Sequence, residues 1–186
     1  MTAPPATQVR EAFPEGENID DSDLRAAVLE AWTTAMTETD VEDLAAVPWF
    51  PPVQRELGLP DETLVEHVRD VTVLAADLAA TLTGRRASAI SIDTVLAGAL
   101  VHDVSKLYEF DGEDATEIGH LLGHPHYGVH VAARAGLPVA VQHVVLSHSG
   151  RTSVEPATLE AEIVRRADEV AASAIRLRAL DDLRNA

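Results

Sequence analysis

The chain has 186 residues, of which 46% are hydrophobic and only 4% aromatic, and its formal net charge is −17. The length suits one domain with a real core, and a core of Ala, Val and Leu favours helices over a β-sandwich. The acidity argues against a broad nucleic-acid-binding surface and against binding to anionic membranes, because both of those partners attract Lys and Arg. The absence of cysteine excludes disulfides and thiolate sites, so any metal must be held by imidazole and carboxylate groups.

The sequence shows no sign of export or membrane insertion. Residues 1–14 have neither a basic start nor an apolar core, so we expect no signal peptide. No stretch approaches the ~18 apolar residues of a membrane span. We therefore expect a cytoplasmic protein.

The first part of the chain is predicted to lie outside the main domain. Residues 1–19 are rich in Pro, Glu and Gly without periodicity, which predicts a flexible N-terminal arm. Residues 20–60 are predicted to form a helical extension with a Pro-rich loop. Its helix can be capped by Asp21 or Ser22 and carries apolar residues every three or four positions.

The Pro-rich loop carries two large aromatic rings. The stretch Pro48-Trp49-Phe50-Pro51-Pro52 breaks any helix. We expect both rings to dock against the side of a helical core, which we favour over a role in ligand binding.

Residues 61–186 are predicted to form a single compact all-α bundle. Residue types that start and stop helices, together with helical spacing of apolar residues, indicate the following helices. They cover about 62–82, 92–107, 118–122, 125–135, 138–147 and 157–180. No strand-like alternation persists in this part of the chain, and the Ala-rich stretch 167–180 could pair with a copy of itself in a homodimer.

The segment Val101-His102-Asp103-Val104-Ser105-Lys106 holds the only lysine of the chain. A histidine followed by an aspartate gives a metal two ligands from one short piece of backbone. Four further candidate ligands lie outside it, namely His67, His124, His148 and Asp168. The order is H…HD…H…H…D, with gaps of 35, 22, 24 and 20 residues.

Each of these residues also has a purely structural interpretation. His67 lies on the apolar stripe of its helix, where a core histidine with one hydrogen bond is common. Asp168 should point inward, and a buried carboxylate requires a cation, a strong donor or a metal. An ion pair between Asp168 and Arg165 or Arg166 is the structural alternative. His120 is four residues from His124 and is a rival for its role.

Five segments together resemble the HD superfamily of metal-dependent phosphohydrolases. Residues 102–106 resemble its signature HD-[ILV]-[GS]-K, with Ser105 in place of the commoner glycine. The other four are similar to its opening element, its H-P-x-x-G element, its S-H-[HS]-G element and its closing acidic helix. They are Leu64–His67, His124–Gly128, Leu146–Gly150 and Glu160–Asp168. The resemblance covers about residues 61–176.

This resemblance implies an all-α fold of HD-domain type and a site for divalent transition metals. The implied ligands of the first metal are His67, His102, Asp103 and Asp168. The implied ligands of a second metal are His124 and His148, with Asp103 bridging. Members with all six residues usually hold two metals, and those with only the first four hold one. Imidazole and carboxylate suit Fe, Mn, Co, Ni or Zn, and the sequence does not rank them.

The resemblance also implies hydrolysis of a phosphate ester by a metal-activated water. The expected substrate is a phosphomonoester or phosphodiester of a small nucleotide-like compound. Asp103 would orient the water, Lys106 would hold a substrate phosphate, and Arg151 could supply a second phosphate contact.

Two other functions stay open at this point. A few members of the superfamily hold two irons with the same six residues and use O2 to cleave a C–C or C–P bond. A helical binding module that has lost its chemistry is the third interpretation, and the presence of all six ligand types argues against it.

Overall fold

A computed structural model describes residues 2–59, 61–112, 114–182 and 184. Within them the chain folds into α-helices joined by short loops, with one antiparallel pair of two-residue strands, β1 (Phe110–Asp111) and β2 (Asp114–Ala115). The helices are α1 (Pro5–Ala12), α2 (Ser22–Glu38), α3 (Pro51–Leu57), α4 (Leu64–Arg86), α5 (Ile92–Val101), α6 (Lys106–Glu109), α7 (Glu117–Leu121), α8 (Gly123–Arg134), α9 (Val139–Ser147) and α10 (Leu159–Leu177). Short 3-10 turns cover Pro14–Asn18 and Leu44–Ala46. The prediction of an all-α fold is confirmed.

Side-chain caps fix where the long helices begin. Asp21 accepts hydrogen bonds from two backbone N–H groups at the start of α2. Thr63, Ser91 and Thr158 do the same for one N–H each at the starts of α4, α5 and α10. These caps satisfy backbone donors that would otherwise have no partner in the first turn. Helix α4 starts at Leu64, not at residue 62, and it continues through Gly84 to Arg86.

Helix α5 is shorter than predicted, and this places the HD pair on a turn. The helix ends at Val101, and residues 102–105 form a turn before α6 begins at Lys106. The backbone N–H of Lys106 donates to the carbonyl of Asp103 at 2.9 Å. His102 and Asp103 therefore project from a tight corner at the centre of the molecule instead of from a straight helix.

Over residues 2–19 the structure differs from the expected flexible arm. Helix α1 and the following 3-10 turn pack onto the bundle, and Val9, Phe13 and Ile19 are buried. The Phe13 ring lies 4.8 Å from the ring of Trp32. Three apolar residues were too few for a periodic signal in the sequence, yet burying them against α2 is enough to order the segment.

Helices α4, α5, α9 and α10 surround the centre of the bundle. Small residues allow close packing there, since a Cβ at Gly98 on α5 would lie 2.6 Å from a methyl group of Val144 on α9. The Trp32 indole N–H donates to the carbonyl of Leu100 at 2.8 Å, which ties α2 to α5. Among the residues described, no helix combines the length and apolar character needed to cross a membrane.

The predicted docking of the aromatic pair is confirmed. Trp49 is buried in a small apolar cluster with Leu59, Ala172 and Ile175, and Phe50 packs beside it partly exposed. The loop before α3 is thereby held against α10.

Candidate metal centre

The structure brings the six predicted ligands together around one carboxylate, that of Asp103. They come from five separate places in the chain: α4, the turn after α5, the start of α8, the residue after α9, and the middle of α10. The residues are His67, His102, Asp103, His124, His148 and Asp168. Residues that are far apart in the sequence therefore lie close together in space, because the packing of the helices assembles the cluster.

One oxygen of Asp103 faces the first predicted ligand group. Its Oδ2 lies 3.5 Å from Nε2 of His67 and 3.4 Å from Nε2 of His102. Oδ1 of Asp168 lies 3.0 Å from the same nitrogen of His67 and 3.9 Å from that of His102. Two imidazole nitrogens and two carboxylate oxygens thus converge within a few ångströms.

The other oxygen of Asp103 faces the second predicted group. Its Oδ1 lies 3.4 Å from Nε2 of His124 and 3.6 Å from Nε2 of His148. The two oxygens of a single carboxylate therefore point to different pairs of histidines. Asp103 would therefore have one oxygen available beside each pair if cations were bound there.

Hydrogen bonds at the opposite ring nitrogens set the orientation of three histidines. Nδ1 of His102 lies 2.6 Å from the carbonyl of Ala99, and Nδ1 of His148 lies 2.7 Å from the carbonyl of Val145. Nδ1 of His124 lies 2.8 Å from Oε2 of Glu109. The two carbonyls can only accept, so Nδ1 of His102 and of His148 carries the proton and Nε2 offers its lone pair to the centre. Nδ1 of His124 also lies 3.2 Å from Nη1 of Arg151, but the shorter contact with the Glu109 carboxylate places a proton on this nitrogen as well.

Several buried polar atoms at this centre lack a hydrogen-bond partner. They include Nε2 of His67, Nε2 of His102 and Oδ1 of Asp103. Unsatisfied buried polar groups cost roughly 1–3 kcal/mol each. Cations coordinated by these atoms would remove that cost, and the donor set of imidazole and carboxylate fits divalent transition metals. The residues present thus fit the metals that the sequence predicted.

Charges at the centre keep its carboxylates ionised, and burial keeps His124 neutral. Burial would raise the pKa of Asp103, but the charge of Lys106 and the nearby histidines outweigh burial and hold the pKa well below its usual range. Burial also opposes ionisation of Asp168, yet contact with His67 lowers the Asp168 pKa below normal. Burial lowers the pKa of His124 to about 4. Ionised carboxylate and neutral imidazole are the forms that bind metals.

Lys106 lies at the edge of the cluster between Asp103 and two aromatic rings. Its Nζ is 2.7 Å from Oδ2 of Asp103, and the side chain is only 7% exposed. The same nitrogen lies 5.6 Å from the centre of the Trp49 ring and 5.4 Å from that of Phe50. The Trp49 ring also lies 5.3 Å from the ring of His67. The aromatic pair thus forms a wall of the site, which the sequence did not predict.

Arg151, predicted as a phosphate contact, lies on the rim of the second group. Its Nη1 donates to Oε1 of Glu109 at 2.7 Å, and its side chain is 45% exposed. Burial would raise the pKa of Glu109, but the hydrogen bond from His124 and the charge of Arg151 outweigh burial and lower it. Sequence reasoning missed Glu109, because the only available signal was one acid among many near residues 109–117.

The structure disfavours the competing assignments. Arg165 pairs with Glu155 and Glu169, and Arg166 pairs with Glu162 and Glu169, so within the described residues neither arginine forms an ion pair with Asp168. His120 is exposed to solvent. His143 accepts a hydrogen bond from the backbone N–H of Ala157 at 2.8 Å, which joins α9 to the segment before α10.

Comparisons with known proteins agree with this geometry. A family profile described as HD domain matches residues 64–173. The chain is 30% identical over 167 residues to the dihydroneopterin 2',3'-cyclic phosphate phosphodiesterase of Methanocaldococcus jannaschii, over 82% of this chain and 64% of that relative. This chain therefore spans less than two thirds of the relative's length. No solved structure matches it.

The matched region contains every residue of the cluster. It begins at the first residue of α4, which supplies His67, and it ends five residues after Asp168. The profile covers more than half of the chain, and the predicted resemblance over residues 61–176 is confirmed. The chain belongs to the HD domain family.

Proposed function

We propose that this protein hydrolyses a phosphate ester with a metal-activated water. One observation carries the proposal: the two oxygens of Asp103 face two different pairs of histidines, and Nζ of Lys106 lies 2.7 Å from one of these oxygens, Oδ2. Family membership supports it. The ligand roles of the six clustered residues are part of the proposal.

The site contains the groups that such a reaction requires. Divalent cations held there would lower the pKa of a bound water and stabilise charge on the attacking and leaving oxygens. In the overall reaction the water oxygen forms a bond to phosphorus, one ester P–O bond breaks, and the leaving alcohol takes a proton. Asp103 is ionised and can orient the water through the lone pairs of its two oxygens.

Lys106 is placed to hold a phosphate oxygen of the substrate. One N–H of its ammonium group faces Asp103, and the group has three donors in all. The Trp49 and Phe50 rings lie beside it and exclude water from that side, which strengthens a charge–charge contact. Arg151 offers a second cationic group at the rim, 5.7 Å from the centre of the Phe50 ring.

A small phosphodiester is the substrate class that these features support best. The chain has a net charge of −17, so a long polyanion would be repelled except at the local pair of cations. The similar protein of Methanocaldococcus jannaschii is named for a 2',3'-cyclic phosphate, which is a strained internal diester. We propose cyclic phosphodiesters of nucleotide-like compounds as the first class, with phosphomonoesters next.

The experiment is a hydrolysis screen with metal-stripped protein reloaded with Mn, Fe(II), Co, Ni or Zn. Substrates would include 2',3'-cyclic and 3',5'-cyclic nucleotides, linear diesters and nucleoside monophosphates, with products separated by chromatography. Metal-dependent opening of a diester supports the proposal. If no phosphate ester is hydrolysed with any metal by folded protein, hydrolysis is ruled out, and O2 consumption by the Fe(II)-loaded protein would then test the oxygenase alternative.

A further inference from the structure

Glu109 lies directly behind His124, on the side of the imidazole ring away from Asp103. Its Oε2 is 2.8 Å from Nδ1 of His124, while Nε2 of the same ring faces Asp103. Its other oxygen accepts a hydrogen bond from Arg151 at 2.7 Å. The Glu109 residue is only 1% exposed. A buried carboxylate whose oxygens are both engaged has little freedom to move.

His124 differs in this respect from the other oriented histidines of the centre. Nδ1 of His102 and Nδ1 of His148 each face a backbone carbonyl three residues earlier in the chain. His124 instead faces the side-chain carboxyl group of Glu109, which lies on a different helix, α6. A carboxylate partner fixes the tautomer of a ligand histidine. It also makes the unprotonated nitrogen of the ring a stronger electron-pair donor to a metal. In the described part of the chain, a carboxyl group therefore lies behind His124, whereas backbone carbonyls lie behind His102 and His148.

Hydrogen bonds to the backbone also hold Glu109 and His124 in place. The Ser105 hydroxyl donates to the carbonyl of His124 at 2.7 Å. The carbonyl of Glu109 accepts the backbone N–H of Thr116 at 2.9 Å. A Cβ at Gly119 would lie 2.4 Å from that same carbonyl, so only glycine allows α7 to approach α6 this closely. Glu109 and His124 are thus fixed relative to one another from both ends.

We infer that Glu109 is a positioning residue that orients His124 and strengthens it as a ligand at the second of two metal positions. Arg151 balances the carboxylate charge and holds it in place. This inference rests on the metal centre of the proposed function, but not on the identity of the reaction or of the substrate.

The test is the metal stoichiometry of the protein carrying Glu109→Gln, with Mn2+ alone as the probe. Glutamine keeps the size of the side chain and an oxygen that can accept from Nδ1, but it removes the charge. We expect wild-type protein to take up two equivalents in calorimetric titrations. In the variant we expect the second affinity to fall about 10- to 100-fold and the first to be unchanged.

Glu38→Gln is the matched control. Glu38 also accepts a hydrogen bond from an α6 residue, Tyr108, at 2.6 Å, and it also pairs with an arginine, Arg134. No contact joins it to the metal centre in the described structure. This control should leave both affinities unchanged, which separates a local effect on His124 from a general loosening of α6.

Three results would overturn the inference. They are unchanged second-site affinity in Glu109→Gln, loss of both sites together, and a wild-type protein that binds only one equivalent.

A second measurement uses wild-type protein and therefore applies even if the variant folds poorly. In protein with 15N-labelled histidine, His124 should be found as the Nδ1–H tautomer, and a majority of the Nε2–H form would contradict the inference. All these measurements are independent of turnover, so failure to find hydrolysis would not be confused with failure here.

Discussion

Nζ of Lys106 lies 2.7 Å from Oδ2 of Asp103, and both side chains are buried. The single lysine of the chain is therefore paired with the carboxylate at the centre of the ligand cluster. The turn after α5 makes this possible, because it brings residues three apart onto the same side. The pair places a positive charge beside the position where a substrate phosphate would have to approach Asp103.

Lys106→Met should reduce hydrolysis while leaving metal content unchanged. Hydrogen bonds to charged groups contribute roughly 1.5–3 kcal/mol, which corresponds to a fall of about 10- to 100-fold in kcat/KM. Steady-state kinetics on the best diester of the screen, with metal analysis of the same samples, measure both quantities. Lys106→Arg keeps the charge and should recover part of the loss. Unchanged kcat/KM in Lys106→Met would remove the residue from the mechanism.

His124→Ala and His120→Ala should behave differently although the two residues are four apart. His124 faces Asp103 at 3.4 Å, whereas His120 is exposed. We expect His124→Ala to lose one Mn2+ equivalent and His120→Ala to lose none, as measured by titration and by metal analysis. Loss of an Mn2+ equivalent in His120→Ala but not in His124→Ala would contradict the assignment of His124, in place of His120, as the metal-binding residue.

The Glu38 carboxylate should make the protein less stable in acid. The hydrogen bonds from Arg134 and Tyr108 lower the pKa of Glu38 below its ordinary value of 4.5. A lowered pKa means that the stabilisation is fully present above pH 4.5 and is lost as the pH falls through the folded-state pKa. Because the side chain is 35% exposed, solvent limits the contribution to about 1 kcal/mol or less.

Urea unfolding of wild-type protein and Glu38→Gln at several pH values tests this. The difference in the free energy of unfolding should be largest near pH 7 and should shrink below about pH 4.5. A difference that stays constant down to pH 3 would mean that the Glu38 charge is not involved.

Gly98→Ala should destabilise the packing of α5 against α9. The new Cβ would lie 2.6 Å from Cγ1 of Val144, and overpacking of this kind costs roughly 1–3 kcal/mol. Gly84→Ala is the control, since it also lies inside a helix and nothing lies within 4 Å of a Cβ there. Urea unfolding should show a loss for the first variant. The second should show no loss, or a gain of up to about 1 kcal/mol. An equal change in the free energy of unfolding for the two variants would contradict the close packing of α5 against α9 at Gly98.

The members of the cluster could be predicted from the sequence because each residue stands in a recognisable local pattern. His102 and Asp103 are adjacent, His124 precedes a proline, and Asp168 shares a helix face with apolar residues. Such patterns depend on neighbours in the chain. The helix positions followed for the same reason, although α4 continues beyond the predicted end at residue 82, through Gly84 to Arg86, since one glycine inside a helix costs only about 1 kcal/mol.

The residues that the sequence did not predict act through contacts between distant segments. Glu109 is one acid among several until the fold places it 2.8 Å from His124. Trp49 was expected to dock, but its position beside His67 and Lys106 depends on how the loop before α3 lies on α10. The ordered structure of residues 2–19 likewise depends on a surface of α2 that no local pattern reveals.

The most direct test of the central claim is Mn2+-dependent hydrolysis of a cyclic phosphodiester by wild-type protein and by Asp103→Ala. Both are stripped of metal and reloaded, and circular dichroism checks that helical content is retained. We predict that wild-type protein opens the diester only when metal is present. The folded variant should bind metal poorly and show no turnover. Full turnover by Asp103→Ala would contradict the assignment of this cluster as the active site.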